Sequence, residues 1–461
     1  MPIMACMPTF SDGLSRGWLL GLLLAASASA QYHAPHDASP PATATAPAAP
    51  DPATALTAEE IGEHDAVLAS DLFEGREAGT RGERRAAAYI ISQLETCPRL
   101  QPDGPDGEWL QPFDITLHKQ PAVAHNVLAR LQGSDPALVG QCIVVGAHYD
   151  HVGFGESGNA LDPGVREIHN GADDNGSGSA VLLDLATSLC GSGWQPRHTV
   201  LFQWYSGEEL GLLGSKHWVE QPTHPLADVT FMINMDMVGR MMGRTLVVGG
   251  TGTSPGLAEL SRKHCDELHL HMIDDPPGTA PSDNSSFYDA GIPALFLFTG
   301  LHADYHRATD DSAKIDVEGA RDVGRLVEDL LRDLDARDDR PRFQSSPGMA
   351  YVFTPRLYLG AAFEDVVPPA PAGVRVTVVI PGAPADAAGL RENDYVASFG
   401  GHAVEHTTDI DALLEAPHGD IPAMDMKVWR AAPPAAAKSG AAEVQATSWE
   451  SVTLRVQPSI R

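Results

Sequence analysis

The sequence predicts an α/β domain, a buried sheet with helices on both faces, followed by a smaller domain of short strands. Apolar, β-rich runs alternate with helix-compatible segments from residue 57 to about 335. Near-continuous apolar strands between helices are typical of a sheet that is covered on both sides. After a segment rich in Asp, Arg, Pro and Ser at 337–349, the pattern changes to short strands with Gly and Pro turns, which indicates a second domain.

The elements of the first domain follow from its apolar runs. A capping-box pattern from Thr57 to Glu60 begins the first helical stretch. Further helices are predicted over 82–94, 178–190, 212–220, 254–268 and 317–336. The predicted strands are 126–131, 142–147, 198–205, 229–235, 245–248 and 294–298.

The composition is strongly acidic. The 461 residues include 31 Lys and Arg against 61 Asp and Glu, a formal net charge of −30. Such a field repels phosphate backbones and anionic lipid headgroups, so we expect no nucleic-acid partner and no binding to a membrane surface. Its simplest role is solubility.

The N-terminus is predicted to be a signal peptide spanning 1–30. Arg16 precedes an apolar run at 17–26, and Ala28-Ser29-Ala30 supplies small residues for cleavage. We therefore expect a secreted or periplasmic protein without a membrane span in the mature chain, the alternative being an uncleaved anchor. Residues 31–56 are predicted to be a disordered linker. The domains are then expected at 57–340 and 345–461, with a flexible insertion at 431–446.

Four cysteines follow the signal peptide: Cys97, Cys142, Cys190 and Cys265. Four cysteines allow three pairings, and the sequence leaves the choice open. Cys142 lies in an apolar strand, where a buried free thiol is expected.

Two polar motifs follow predicted strands early in the domain. His148 ends the run 142–147, and the carboxylate of Asp150, two residues on, can accept one imidazole N–H while the other nitrogen binds a metal. Asp173 and Asp174 lie in a glycine-rich turn before a helix. Taken alone, the first motif is better explained as an exposed loop pair and the second as a helix cap.

Three further motifs follow later strands. The adjacent pair Glu208 and Glu209 can divide metal binding from proton transfer, and Asp236 ends an apolar strand, where an unpaired carboxylate is costly. His306 follows the strand 294–298. Together, five strand ends supply two imidazoles and three carboxylates, enough to hold two Zn²⁺ ions if one carboxylate bridges them. The glutamate that binds no metal would then act as general base toward a metal-bridged hydroxide.

These motifs resemble those of metallopeptidase family twenty-eight, which includes secreted bacterial aminopeptidases, glutamate carboxypeptidases and glutaminyl cyclases. The resemblance rests on the motifs around His148, Asp174, Glu208, Asp236 and His306, and extends to 68–76 and 281–283. It implies a zinc exopeptidase fold, with a mixed central sheet flanked by helices.

The resemblance also implies a role for each residue. The metal ligands would be His148, Asp174 as the bridge, Glu209, Asp236 and His306. Glu208 would be the general base, Asp150 the partner of His148, and Tyr305 a group that stabilises the oxyanion. Ser282 would lie beside His306, and the Asp174–Asn175 peptide bond would be cis. The remaining histidines (His151, His169, His217, His264 and His271) are predicted to be surface or loop residues.

The C-terminal region resembles a PDZ domain through 356–361, 374–380 and 381–396. The resemblance implies a carboxylate-binding loop at 358–360 and a groove helix at 408–414, which together would receive a peptide C-terminus. A packing or dimerisation module with an unused groove is the alternative.

The sequence therefore favours an exopeptidase with two Zn²⁺ per chain that releases N-terminal residues from peptide substrates. One alternative is a one-zinc glutaminyl cyclase, and another is a catalytically inactive scaffold that binds peptides. Side-chain specificity, oligomeric state and the choice between aminopeptidase and carboxypeptidase stay open.

Overall fold

The computed structural model describes residues 56–156, 158–162, 166–348, 357–366, 371–380, 383–414, 422–431 and 449–460. The predicted signal peptide lies outside these ranges, as do almost all of the linker 31–56 and of the insertion 431–446. Within the described ranges, no helix is both long enough and apolar enough to cross a membrane.

The first domain is built on one mixed sheet. Its strands in the described chain are β1 Leu100–Pro102, β2 Leu110–Leu117, β3 Gln120–Leu131, β4 Cys142–His148, β5 Thr199–Tyr205, β6 Val229–Met235, β7 Thr245–Gly249, β8 His271–Asp275 and β9 Ala294–Phe298. Their order is β1-β3-β5-β4-β6-β9-β7-β8, with β2 paired to β3. The central strands β5, β4, β6 and β9 are parallel neighbours. Antiparallel pairing of β3 with β5 and of β7 with β9 makes the sheet mixed, as predicted.

Helices cover both faces of this sheet. They are α1 Ala58–Leu68, α2 Arg81–Leu94, α3 Gly178–Gly191, α4 Leu213–Glu220, α5 Leu257–Glu267, α6 Asn284–Asp289 and α7 Val317–Asp335. The Thr57 side chain accepts from the Glu60 amide and caps α1, Thr80 caps α2, and Asp316 caps α7. The larger apolar core lies under α1, α2, α3, α5 and α7, and a smaller one lies under α4 and α6.

All six predicted strands and the predicted helices are present, with bounds shifted by a few residues except at the start of β3. The sequence prediction did not include β1, β2, β8 or α6. β2 lies at the margin of the sheet and alternates buried with exposed residues, so it lacks a continuous apolar run. α6 has only six residues, too few to show a helical period.

The chain after α7 follows the surface of the first domain. The Arg340 guanidinium donates to the Val229 carbonyl oxygen (2.5 Å), and the Gln344 amide donates to the Thr253 carbonyl oxygen (2.7 Å). Ser346 donates through Oγ to the Pro276 carbonyl oxygen (2.8 Å). The segment 337–348, predicted to be a linker, is therefore hydrogen-bonded to the first domain along much of its length.

The cysteine pairing left open by the sequence is Cys97 with Cys190. This disulfide joins the end of α2 to the end of α3, across 93 residues of chain. Cys142 and Cys265 are free and buried, as expected for Cys142.

The second domain is small and antiparallel. Its described strands are β10 Leu357–Tyr358, β11 Ala361–Asp365, β12 Val374–Val379, β13 Tyr395–Phe399, β14 His402–Ala403, β15 Met424–Ala431, β16 Trp449–Val456 and β17 Ser459–Ile460, with helices α8 Pro384–Ala387 and α9 Thr407–Leu414. The main sheet has the order β11-β12-β13-β15-β16. The short helix and strand predicted within 381–396 appear as α8 and β13. Residues 381 and 382 of the predicted turn lie outside the described residues.

Candidate metal centre

The candidate centre lies at the carboxyl edge of the four parallel strands. His148 is the last residue of β4, Asp236 follows β6 directly, and Glu208 and Glu209 come three and four residues after β5. His306 lies in the loop after β9, and Asp174 lies in the turn before α3. Since parallel strands end at the same edge, the topology brings these side chains together.

The first of two groups forms around His148. Its Nε2 atom lies 3.2 Å from Asp236 Oδ1 and 3.4 Å from Asp174 Oδ1. His148 is 1% exposed, and Asp174 and Asp236 are also buried. One imidazole nitrogen and two carboxylate oxygens therefore converge within 4.8 Å of one another, in a position that suits a metal ion.

The second group forms around His306. Its Nε2 atom lies 3.0 Å from Asp174 Oδ2 and 3.1 Å from Glu209 Oε2. Asp174 thus directs Oδ1 toward the first group and Oδ2 toward the second. This is the geometry that a carboxylate bridging two cations requires.

The structure shows which of the two adjacent aspartates faces the two groups, a choice that sequence spacing alone leaves open. Asp174 faces them both. Asp173 points away from both groups, because its Oδ1 accepts from the Gly239 amide (2.6 Å) and its Oδ2 lies 3.1 Å from His302 Nε2. The Asp174–Asn175 peptide bond is cis, as the family resemblance implied. The Asn175 side chain donates to the Met235 carbonyl oxygen (2.9 Å), which ties this turn to the end of β6.

The adjacent glutamates have opposite electrostatic environments. Burial raises the pKa of Glu208 well above its usual range, with Asp236 and Glu209 adding to the effect and His148 opposing it. Burial also acts to raise the pKa of Glu209, but hydrogen bonds from His151 and His306 outweigh it and lower that pKa well below its usual range. Glu209 is therefore held as the anion, whereas Glu208 is disposed to take up a proton.

Asp150 is expected to contact His148 through its carboxylate, but the contact is made by its backbone carbonyl group. The His148 Nδ1 atom lies 3.2 Å from the Asp150 backbone carbonyl oxygen and 3.8 Å from the nearer carboxylate oxygen, which is too long for a hydrogen bond. The Asp150 carboxylate instead accepts from the Glu208 amide at 3.1 Å. The chain turns after β4, so the carbonyl group meets the imidazole and the carboxylate meets the loop after β5.

Ser282 makes hydrogen bonds with residues other than His306. Its Oγ donates to Asp236 Oδ2 at 2.7 Å and accepts from Asn234 Nδ2 at 2.7 Å. The Ser282 hydroxyl is therefore hydrogen-bonded at the end of β6 and not to His306, although the loop that carries it also borders the cavity beside His306.

Two residues of the site were missed by sequence reasoning. His151, predicted to be a surface or loop residue, is 1% exposed, and its Nδ1 lies 2.9 Å from Glu209 Oε1. Arg76 is fully buried and donates to four carbonyl oxygens, those of Leu68, Tyr149, Asn170 and Gly171. Its guanidinium therefore joins the turn after β4 to the turn that carries Asp174. The placement of His151, three residues after His148, was the only sequence signal for it.

A cavity of about 130 Å³ opens beside both groups. Its polar wall consists of Asp174, Glu208, Asp236 and His306, and its apolar wall of Met237, Pro281, Phe296, Phe298, Leu301 and Tyr305. The Tyr305 ring stacks on the His306 ring with 3.9 Å between centroids, and burial raises the Tyr305 pKa, so the phenol stays neutral.

Two parts of the chain match known domain families. Residues 126–331 match Peptidase family M28, and residues 375–428 match a PDZ domain. Leupeptin-inactivating enzyme 1 of Streptomyces exfoliatus is 27% identical over 318 residues, covering 68% of this chain and 64% of that protein. A probable leucine aminopeptidase of Arthroderma otae is 31% identical over 201 residues, covering 42% of this chain and 54% of that protein. The chain thus spans less than two thirds of either relative.

Two solved structures are similar to part of this chain. A zinc-dependent exopeptidase from Parabacteroides distasonis has a TM-score of 0.49 at 19% identity, covering 62% of this chain and 99% of that chain. The glutaminyl cyclase of Porphyromonas gingivalis also has a TM-score of 0.49, at 21% identity, covering 60% of this chain and 98% of that chain. The sequence matches confirm both resemblances: residues 126–331 match Peptidase family M28, and residues 375–428 after them match a PDZ domain.

Proposed function

We propose that this protein is a zinc-dependent exopeptidase that hydrolyses the first peptide bond of peptide substrates, releasing the N-terminal residue. The observation that carries this proposal is the orientation of Asp174, whose two oxygens face two separate imidazole–carboxylate groups. The names of the relatives, which include leucine aminopeptidases, support the same activity.

The donor set fits zinc. Imidazole nitrogens and carboxylate oxygens are its usual ligands besides thiolates. His148 and Asp236 would hold one ion, His306 and Glu209 the other, and Asp174 both. A ring nitrogen of His151 also lies within 4.8 Å of carboxylate oxygens of Asp174 and Glu209. When bound, two zinc ions supply a water of lowered pKa and polarise the substrate carbonyl group.

Glu208 would move the proton. Its carboxylate borders the cavity but lies 3.9 Å from His148 Nε2, farther than either carboxylate of the first group. A carboxylate that borders the cavity and is not needed as a ligand can accept a proton from water and return it to the leaving amine. Tyr305, neutral and at the cavity wall, would donate a hydrogen bond to the carbonyl oxygen as charge develops there.

The apolar wall of the cavity would receive the side chain of the N-terminal residue. Two phenylalanines, Leu301 and Met237 offer aliphatic and aromatic surface and no charge. A bulky apolar residue such as leucine would gain the burial of its side chain there, whereas a charged residue would lose hydration without a partner.

The second domain would bind a peptide C-terminus. Among the described residues, β11 pairs only with β12, so its other edge is free to add a strand. Helix α9, which comes later in the chain, lies in contact with β11. The loop before β11 contains Gly360 at φ +71°, a tight turn at the position of the predicted carboxylate-binding loop. We further infer export, on the strength of the 1–30 pattern alone, which N-terminal sequencing of the exported protein tests.

One experiment tests the proposed activity. The purified mature chain is assayed on aminoacyl p-nitroanilides, and its zinc content is measured on the same sample. We expect two zinc ions per chain, turnover of the leucyl substrate, and no turnover of the N-acetylated leucyl substrate. A single zinc ion with cyclisation of N-terminal glutamine would contradict the proposal, as would bound zinc without hydrolysis of any substrate.

A further inference from the structure

His151 contacts the candidate metal centre although no predicted role involves it. Its imidazole is 1% exposed, and its Nδ1 lies 2.9 Å from Glu209 Oε1. Its ring meets the His306 ring edge-on, with 5.6 Å between centroids. The ring is therefore enclosed by groups of the second metal position.

The His151 ring lies against Gly171, whose lack of a side chain leaves the space that the ring occupies. A β-carbon on Gly171 would lie 2.4 Å from two ring atoms of His151, so only glycine leaves room for the imidazole here. Nε2 is buried without a hydrogen-bond partner among the described residues. Nδ1 faces a carboxylate oxygen, which can only accept, so the ring hydrogen lies on Nδ1 and is donated to Glu209.

Glu209 then uses its two oxygens differently. Oε1 accepts from His151, and Oε2 faces His306 Nε2 at 3.1 Å. Asp236 shows the same division in the first group, because Oδ2 accepts from Ser282 Oγ at 2.7 Å and Oδ1 faces His148 Nε2 at 3.2 Å. Each carboxylate is thus held by one donor through the oxygen that does not face the imidazole of its group.

We propose that His151 is a positioning residue that orients Glu209 so that Oε2 alone faces the second metal position, as Ser282 orients Asp236. The inference rests on the proposed two-zinc function. The metal-binding carboxylate would then be oriented by an imidazole at one metal position and by a hydroxyl group at the other. His151 Nδ1 lies within 4.8 Å of oxygens of Asp174 and Glu209, so its geometry would also allow it to be a ligand. We assign it the positioning role because Asp174 Oδ2, Glu209 Oε2 and His306 Nε2 already converge, with His306 Nε2 at 3.0 and 3.1 Å from the two oxygens, whereas His151 Nδ1 is 3.8 Å from Asp174 Oδ2.

The test measures zinc binding to the metal-free full-length mature protein by calorimetry, with three variants. His151→Ala removes the donor, and His151→Asn restores an N–H near the position of Nδ1. His64→Ala is the matched control, because His64 is also buried with one ring nitrogen bonded, to the Tyr89 hydroxyl at 2.7 Å, but lies outside the centre. Circular dichroism of the metal-free proteins establishes that each variant is folded.

We expect His151→Ala to weaken one of the two zinc-binding steps by about 10- to 100-fold. His151→Asn should recover most of that loss, and His64→Ala should bind both ions like the wild type. Cobalt substitution adds a second readout: at saturating Co²⁺, the visible spectrum of His151→Ala should match the wild type, because no ligand is removed. The cobalt spectrum reports on the metal ligands and does not depend on catalytic turnover.

Two results would overturn the inference. Unchanged binding of both ions by His151→Ala would show that Glu209 needs no such support. Loss of one ion in both His151 variants, with a changed cobalt spectrum, would make His151 a ligand. A wild-type protein that binds fewer than two ions would instead contradict the proposed function, so the two failures are distinct.

Discussion

Glu208 Oε2 lies 3.9 Å from His148 Nε2, outside the tight contacts that Asp236 and Asp174 make with the same nitrogen. Its neighbour in sequence, Glu209, faces the other group and contacts both His306 and His151. Two consecutive carboxylates therefore serve different positions. This arrangement separates the residue that would move a proton from the residue that would hold a metal.

The first prediction concerns this separation. Glu208→Gln should lower kcat by about 10²- to 10⁴-fold, because the amide cannot accept a proton, while the zinc content stays at the wild-type value. Glu209→Gln is the matched comparison and should lose zinc from one position, because an amide is a poorer ligand. Near-normal turnover by Glu208→Gln, measured with zinc analysis on the same sample, would rule out the assigned proton transfer.

The second prediction separates Asp174 from Asp173. Asp174→Asn should weaken both zinc-binding steps, since its two oxygens face both groups. Asp173→Asn should keep two zinc ions but lower the free energy of unfolding by about 1–3 kcal/mol, because its carboxylate holds the Gly239 amide and His302 in a buried network. Calorimetric zinc titration and denaturant unfolding of both variants check this pair. Equal zinc loss in the two variants would mean that the bridge is not Asp174 alone.

The strand ends of the candidate centre were predictable from sequence because they depend on topology. A buried parallel sheet places all its carboxyl ends at one edge, so polar residues after apolar runs had to converge there. That reasoning brings His148, Asp236 and the Glu208–Glu209 pair together without any knowledge of loop paths.

The contacts around the centre were not predictable in the same way. The orientation of Asp150, the partner of Ser282 and the burial of His151 all depend on how loops fold back after the strands. A shift of one peptide plane exchanges a carbonyl contact for a carboxylate contact, and sequence spacing carries no information at that scale. The same limit explains β2 and α6, whose residues lack a continuous apolar run or a helical period.

The third prediction concerns the apolar wall of the cavity. Leu301→Trp should fill part of the cavity and lower kcat/KM for a leucyl substrate by about 10- to 200-fold, with a smaller loss for an alanyl substrate. Val123→Trp is the control, because Val123 is exposed on β3, away from the cavity lining. An equal loss on both substrates would indicate general damage to the centre, not an occupied side-chain pocket.

The fourth prediction concerns the disulfide between α2 and α3. Replacing Cys97 and Cys190 together by serine should lower the free energy of unfolding by about 2–4 kcal/mol, because the bond closes a loop with a sequence separation of 93 residues in the unfolded chain. A phosphine reductant should lower the Tm of the wild type toward that of the variant and leave the variant unchanged. A reductant effect of equal size on both proteins would assign the stabilisation elsewhere.

The last prediction is a pH dependence at Asp184, on α3 and away from the metal centre. This carboxyl group is 1% exposed, and burial raises its pKa from 3.8 to about 7, with Glu60 adding to the effect and the Thr57 amide, 3.1 Å away, opposing it. An acid whose folded pKa is raised holds its proton longer in the folded state than in the unfolded state. Its penalty is therefore absent below about pH 4 and grows as the pH rises toward 7.

Asp184→Asn removes the charge and keeps an oxygen that can accept from the Thr57 amide. The stability of the variant relative to the wild type should therefore increase between pH 5 and pH 8, by at most about 3 kcal/mol. Guanidinium unfolding of both proteins at the two pH values measures this difference, and the titration of the metal centre cancels because both proteins share it. A relative stability that stays constant or falls over this range would show that Asp184 is already ionised in the folded protein at pH 5.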